Sequence, residues 1–248
     1  MTTNSNNLTP KSKNVECGAC GLAELCLPHG LSGEELENLD TMVKLKRRLE
    51  RDEELYHAGD AQAPIYAVSS GSFKTAIVNA DGTEQITGFY LPGELIGLDG
   101  IGGNPTTSTA VALETSTACE LSAGELDKLC ESNHGLRKRM MQMVGKEISR
   151  EQQMLMTLGQ LSADERLASF LLGLSQRFEE RGFSPNEFNL SMSRHDLSNY
   201  LGLAVETLSR LFRRFNDKGL LSVNQRNVKI LDFDGLRNAA HIDCSAAK

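Results

Sequence analysis

Between about residues 40 and 121, apolar and polar side chains alternate over short runs, at 65–68, 72–78, 86–89, 109–113 and 117–121. Gly59-Asp60, Ser70-Gly71, Asp81-Gly82, Pro92-Gly93 and Gly102-Gly103 break the runs. A period of two with turn residues at this spacing predicts an antiparallel β-roll or barrel, and Asp81-Gly82 is placed to close a type I′ hairpin. Then the period changes. Apolar residues recur every three or four positions over 136–158, a second helical pattern covers 163–180, and 182–185 interrupt it. Within the first helix Met141, Val144, Ile148, Glu151, Leu155 and Leu158 make the seam of a coiled-coil dimer, broken only by Glu151.

A third pattern lies at 193–219. Ser193 suits an N-cap, 194–201 a first helix, Gly202 a turn, 205–218 a second helix and Gly219 a C-cap. Leu197, Leu201, Leu203, Val205, Leu208, Leu211 and Phe212 supply an internal core, which turns Glu206, Thr207, Ser209, Arg210, Arg213 and Arg214 outward. This is the pattern of a DNA-binding helix-turn-helix; a solvated basic helix in another winged fold is the plainer alternative. The order is sensor roll, long connecting helix, DNA module.

Charge supports that division. The net charge of −7 over 248 residues argues against nucleic-acid binding only if it is spread evenly, and it is not. No Lys or Arg occurs from 75 to 127, where Asp81, Glu84, Glu94, Asp99, Glu114, Glu120, Glu125 and Asp127 are acidic. From 194 to 229 Arg194, Arg210, Arg213, Arg214, Lys218, Arg226 and Lys229 outnumber Asp196, Glu206 and Asp217. A basic module on an acidic body can hold phosphates by itself.

Cys17-x2-Cys20-x5-Cys26, with Cys119 further on, adds chemistry. Thiolates are soft ligands, and four suffice for an iron–sulfur cluster or a zinc ion. The first sixteen residues hold no apolar stretch of signal-peptide type and no run reaches membrane-spanning length, so a soluble cytoplasmic chain with reduced thiols is expected. Gly18, Ala19 and Gly21 leave backbone amides free to approach sulfur. Cys130 and Cys244 fit no ligand spacing and read as packing or tail residues.

The segment DGTEQITGFYLPGELIGLDGIG, the run ALETSTACEL around Cys119, the stretch RGFSPNEFNLSMSRHDLSNYLGLAVETLSRLFRRF and the cysteine spacing together resemble the FNR branch of the cyclic-AMP-receptor superfamily. Those fumarate and nitrate reduction regulators are oxygen-sensing transcription factors. The likeness runs from about Cys17 to Leu236. It implies an α+β chain: a cyclic-nucleotide-binding-like roll over 31–135 preceded by a cluster-binding segment at 17–30, a dimerisation helix over 136–159 and a winged helix-turn-helix over 160–236. A flexible 1–16 and a tail at 237–248 flank these parts.

The resemblance further implies a [4Fe–4S] cluster on Cys17, Cys20, Cys26 and Cys119, labile to oxygen, that governs homodimerisation and DNA binding. Family recognition helices read TTGAT-NNNN-ATCAA-like double-stranded DNA with residues matching Glu206, Ser209 and Arg210, while Arg213, Arg214 and Arg194 suit phosphates. RNA polymerase is expected to meet the roll at Asp81, Gly82, Thr83 and Glu84, and genes are activated or repressed. In a parallel dimer two Glu151 carboxylates about 5 Å apart would repel by roughly 3 kcal/mol at an effective dielectric near 20, enough to oppose association of the cluster-free protein. Alternatively Glu151 leans out to water and pairs with Lys146 or Arg150 of the other chain.

Three rival readings remain. A four-thiolate zinc site would make the chain a regulator with a structural metal. A cluster-containing redox enzyme would need a base, and His29, His57, His134, His195 and His241 stand in no recognisable catalytic motif. A cyclic-nucleotide receptor would hold its phosphate with an Arg-Ser pair some ten residues after a Gly-Glu pair. Here Gly93-Glu94 is present, but the later pair reads Thr107-Ser108. Burying a phosphate without a cation is costly, so no cyclic nucleotide is expected.

Overall fold

The computed structural model describes residues 16–31, 33–43, 45–61 and 64–241. Cys244 and most of the flexible segment expected at the N-terminus lie outside the described residues. Eight strands form the roll: β1 (Leu45–Leu49), β2 (Glu54–Tyr56), β3 (Ile65–Ser70), β4 (Phe73–Val78), β5 (Glu84–Tyr90), β6 (Leu95–Ile96), β7 (Thr109–Ala112) and β8 (Ser116–Leu121). They pair into two antiparallel sheets, β1-β8-β3-β6 and β2-β7-β4-β5. The alternation at 65–68 hides a finer fact: β3 is buried on both faces. Tyr66 and Val68 enter the roll core with Phe73, Ile96 and Ala118, while Ile65 and Ala67 face a second core outside it. A strand that points successive side chains to opposite faces can serve two cores at once.

That outer core is closed by two helices the sequence pattern did not reveal, α1 (Glu34–Met42) and α2 (Ala123–Ser132), and by the start of α3 (His134–Gln160). Leu39, Met42, Leu126, Leu136 and Met140 are its buried members. Asn133 caps α3, its side chain accepting from the Leu136 amide at 2.7 Å.

The C-terminal module comprises α4 (Ala163–Glu179), β9 (Glu187–Asn189), α5 (Arg194–Tyr200), α6 (Val205–Asp217), β10 (Leu221–Asn224), β11 (Asn227–Ile230) and α7 (Phe233–Ala239), with its strands in the order β10-β11-β9. Ser162 and Ser193 each cap their helix with a reciprocal box, to Glu165 and Asp196. The turn between α5 and α6 rests on Gly202 at φ +62°, which glycine adopts without steric cost. α7 runs across the boundary expected at 236, and Ala240 beyond it is buried, because that helix closes the module's core against α4.

The hairpin between β4 and β5 departs from the expected type I′ turn. Only Gly82 has positive φ; the Gly82 amide donates to Asn79 O at 2.9 Å and the Asn79 amide to Thr83 O at 2.9 Å. The loop is therefore three residues, Ala80 to Gly82, a type I turn followed by a left-handed glycine. Roll and module are not independent. Phe89 of β5 lies 4.9 Å from the Tyr200 ring and 6.2 Å from that of Phe170, and one buried core spans both parts. Among the described residues no helix is long and apolar enough to cross a membrane.

Candidate metal centre and DNA interface

Cys119 sits on β8 between Ala118, which enters the roll, and Glu120. Strand alternation therefore turns it outward, opposite Lys46 on β1 and Ala67 on β3. The loop of 17–31 folds over that place. Its turns are held by Cys20 N to Cys17 O at 3.2 Å and Cys26 N to Leu22 O at 2.9 Å. Cys17, Cys20, Cys26 and Cys119 consequently line one small pocket, with Leu27, Leu39 and Val43 as apolar walls. A Cβ at Gly18 would stand 2.6 Å from Leu36 Cδ2 on α1, so the loop also packs closely there.

Burial pushes the Cys17 and Cys119 thiols up and that of Cys26 to about 12, with Asp40 beside Cys17 adding to the shift there. Without a cation these thiols stay protonated at neutral pH, and loading a metal centre would release their protons. The donor set fits an iron–sulfur cluster: four soft ligands in one apolar pocket. A single zinc ion would need four sulfurs about 2.3 Å from one point. A [4Fe–4S] cluster takes one thiolate per iron and so spreads its ligands wider. Cys130 is on α2, packed beside the outer core.

On α6 the buried face is Leu208, Leu211, Phe212 and Phe215, and Glu206, Ser209, Arg210, Arg213 and Arg214 are exposed. No ion pair joins Glu206 to Arg210 among the described residues, and Ser209 Oγ donates to Val205 O at 2.9 Å. Arg214 pairs with Asp164 at the start of α4. Arg194 is placed differently from the rest. Its guanidinium stacks 3.6 Å from the Phe212 ring centroid and reaches Gln225 O, and one of its nitrogens is buried without a partner. It pins α5 to α6 and to the β10–β11 turn.

On α3, Met141, Ile148 and Leu155 are 67%, 50% and 73% exposed, Glu151 is exposed, and Val144 and Leu158 are half-buried. Arg150, the expected alternative partner for Glu151 across a dimer, is engaged in its own chain with Glu147 at 3.0 Å and Glu94 at 3.4 Å. Asp81, Gly82, Thr83 and Glu84 are exposed at the hairpin tip. The amide and side chain of Thr83 donate to the Asp81 carboxyl and hold it below its usual range. The hairpin's root docks on α5: Asn199 accepts from Ile86 N at 2.7 Å and donates to Glu84 O at 2.8 Å, and Lys74 pairs with Asp196 at 2.8 Å. The five histidines do not gather. His29, His57 and His241 pair with Glu24, Glu54 and Glu165, His134 meets Arg137, and His195 is exposed.

The place expected for a cyclic phosphate is filled from within. Asp99 Oδ2 accepts from the amides of Thr107 and Ser108 at 2.8 and 3.2 Å and from their hydroxyls at 3.0 and 3.2 Å. A carboxylate of the chain thus takes every donor of that turn. Glu94 is likewise spent, on Arg177, Arg181 and Arg150. Burial alone would raise its carboxyl, but the three arginines outweigh it and hold it at about 2.

A β-roll, a long helix and a winged helix-turn-helix with an exposed polar recognition face define a Crp-type DNA-binding regulator. Residues 165–239 match the Crp-like helix-turn-helix domain and residues 46–133 the cyclic nucleotide-binding domain. FixK2 from Bradyrhizobium japonicum superposes with a TM-score of 0.73 at 27% identity, over 78% of this chain and 96% of its own. The transcriptional activator protein Anr of Pseudomonas aeruginosa is 47% identical over 88% of this chain and 89% of its own. The fumarate and nitrate reduction regulatory protein of Escherichia coli is 42% identical over 91% and 90%. The chain belongs to the FNR branch of the Crp/FNR family of transcriptional regulators, and the enzyme reading lapses with that membership.

Proposed function

We propose that this regulator responds to oxygen through a [4Fe–4S] cluster held by Cys17, Cys20, Cys26 and Cys119, and acts as a homodimer on TTGAT-NNNN-ATCAA-like sites in the cytoplasm of an anaerobically growing cell. The observation that carries the reading is the meeting of four cysteines, three from one loop and one 93 positions later, around a single apolar pocket. When bound, such a cluster supplies an oxygen-labile centre whose integrity requires all four thiolates.

The chain's own residues do the rest. Arg139 of α3 donates to the carbonyls of Leu25 and Cys26 at 2.8 and 3.0 Å, tying the cysteine loop to the helix that carries the dimer seam. Met141, Val144, Ile148, Leu155 and Leu158 supply that seam's apolar contact, with Glu151 as its unfavourable position. Glu206, Ser209 and Arg210 read base edges: Arg210 reaches guanine O6 and N7, and Glu206 accepts from a cytosine amino group. Arg213 and Arg214 position the duplex through phosphates, Arg214 by exchanging Asp164 for DNA. Arg194 acts by holding α5 on α6. Asp81, Gly82, Thr83 and Glu84 offer RNA polymerase an exposed loop. No membrane and no cyclic nucleotide enters this reading.

Fluorescence anisotropy on a labelled cognate duplex, with anaerobically prepared protein before and after air, tests it. Tight specific binding that is lost with air supports the reading. Equal affinity in both states would remove oxygen control while leaving the regulator.

A further inference from the structure

We propose that Glu94 is a positioning residue for DNA binding: it fastens the DNA module to the roll at the turn on which the cysteine loop bears, so that the seating of the module follows the loop. The coupling rests on the reading of that loop as the sensing element.

Glu94 lies between β5 and β6 with its side chain 13% exposed. Arg177 of α4 meets it as a fork, Nε to Oε1 at 3.0 Å and Nη2 to Oε2 at 2.6 Å. Arg181, 4% exposed, adds Nη2 to Oε1 at 2.8 Å. The same arginines grip the turn's backbone, Arg177 donating to Phe89 O at 2.6 Å and Arg181 to Pro92 O at 2.8 Å. Arg150 joins from α3. Charges withdrawn this far from water depend on one another, so losing the central carboxylate leaves buried cations without a counter-charge. The clamp holds as a unit or opens as one.

The neighbouring residue supplies the link to the loop. Gly93 has φ +89°, and a Cβ there would stand 2.7 Å from Leu25 Cβ. Leu25 lies between Cys20 and Cys26, and Arg139 holds its carbonyl. The turn is therefore pressed by the cysteine loop on one side and gripped by α4 on the other. A packed contact of this kind has discrete arrangements rather than a soft range, which is the physical requirement for coupling two sites.

Hydrogen exchange of peptides covering 89–95 and α4 reads the clamp, and anisotropy on the cognate duplex reads its consequence. Glu94→Gln is expected to keep wild-type iron, sulfide and dimer mass under anaerobic conditions, yet to exchange about tenfold faster in both peptides and bind DNA at least about tenfold more weakly. Wild type after air, with its iron shown to be lost, is expected to show the same faster exchange. Unchanged exchange in wild type on losing iron overturns the coupling. Glu94→Gln within about threefold of wild-type DNA affinity overturns the positioning role. Wild type that carries no iron defeats the reading of the cysteine loop, and Glu94→Gln in metal-free protein then decides the clamp alone by the same exchange criterion. Should Glu94→Gln be insoluble, Arg181→Gln removes one arm and is judged by the same thresholds.

Discussion

Truncating Leu155 to alanine tests the dimerisation seam. In the single chain Leu155 is 73% exposed, and Ile148 and Met141, at seven-residue intervals before it, are 50% and 67% exposed. A leucine-to-alanine change deletes three carbon groups, worth about 0.8 kcal/mol each on full burial, or roughly 2.4 kcal/mol per chain. Only the exposed share is still to be gained on association, which leaves roughly 1.7 kcal/mol, and two-fold symmetry doubles it to about 3.5 kcal/mol. At about 1.4 kcal/mol per decade, the dissociation constant of the dimer should rise by about 300-fold. Alanine is no worse a helix former than leucine, so the monomer should lose only the already buried share, roughly 0.6 kcal/mol, and its thermal midpoint should fall by no more than about 3 °C. Sedimentation equilibrium of anaerobically prepared protein measures the constant directly. A value within about threefold of wild type, with iron content unchanged, would refute the seam.

Three further outcomes are expected. Arg210→Ala should cost about 1–3 kcal/mol on the cognate duplex and relax preference at one base pair, and equal losses on cognate and scrambled duplexes would reject base reading. Asp99→Ala strips four accepted hydrogen bonds from Thr107 and Ser108 and should destabilise the roll by about 1–3 kcal/mol without creating affinity for cyclic AMP, because among the described residues no Lys or Arg lines that place; an unchanged melting temperature would contradict it. Glu94 has a depressed folded value, about 2 against 4.5, so its contribution is complete above the unfolded value and disappears as pH falls through the folded one. Urea midpoints of wild type should therefore fall more steeply than those of Glu94→Gln between about pH 4.5 and 2, and parallel curves would show that the arginine clamp contributes nothing.

The module that reads DNA was legible because its signals are local. Ser193 as cap, Gly202 as turn and the spacing of Leu197, Leu201, Leu208 and Leu211 act within one or two helical turns, and the structure keeps them. α1 and α2 escaped because their apolar faces are narrow, Leu39 and Met42 in one and Leu126 in the other, and only the roll's outer face completes the core they join. β1, with the sequence LKRRL, showed no apolar alternation since its arginines and lysine lie near the surface. The four cysteines were visible, whereas the alternation that turns Cys119 outward emerged only with the register of β8. Glu94 is separated from Arg177 and Arg181 by 83 and 87 positions, and no spacing rule reaches that far. The resemblance to cyclic-nucleotide receptors drew attention to Glu94 as a ligand residue; three arginines make it a structural counter-charge instead.

Protein purified without oxygen should contain four irons and four sulfides per chain, with a visible absorption that bleaches in air. Cys17→Ser, Cys20→Ser, Cys26→Ser and Cys119→Ser should each abolish retention, while Cys130→Ser should not. Stoichiometric zinc in place of iron would rule out the cluster, and a cluster that survives Cys119→Ser would rule out Cys119 as its fourth ligand.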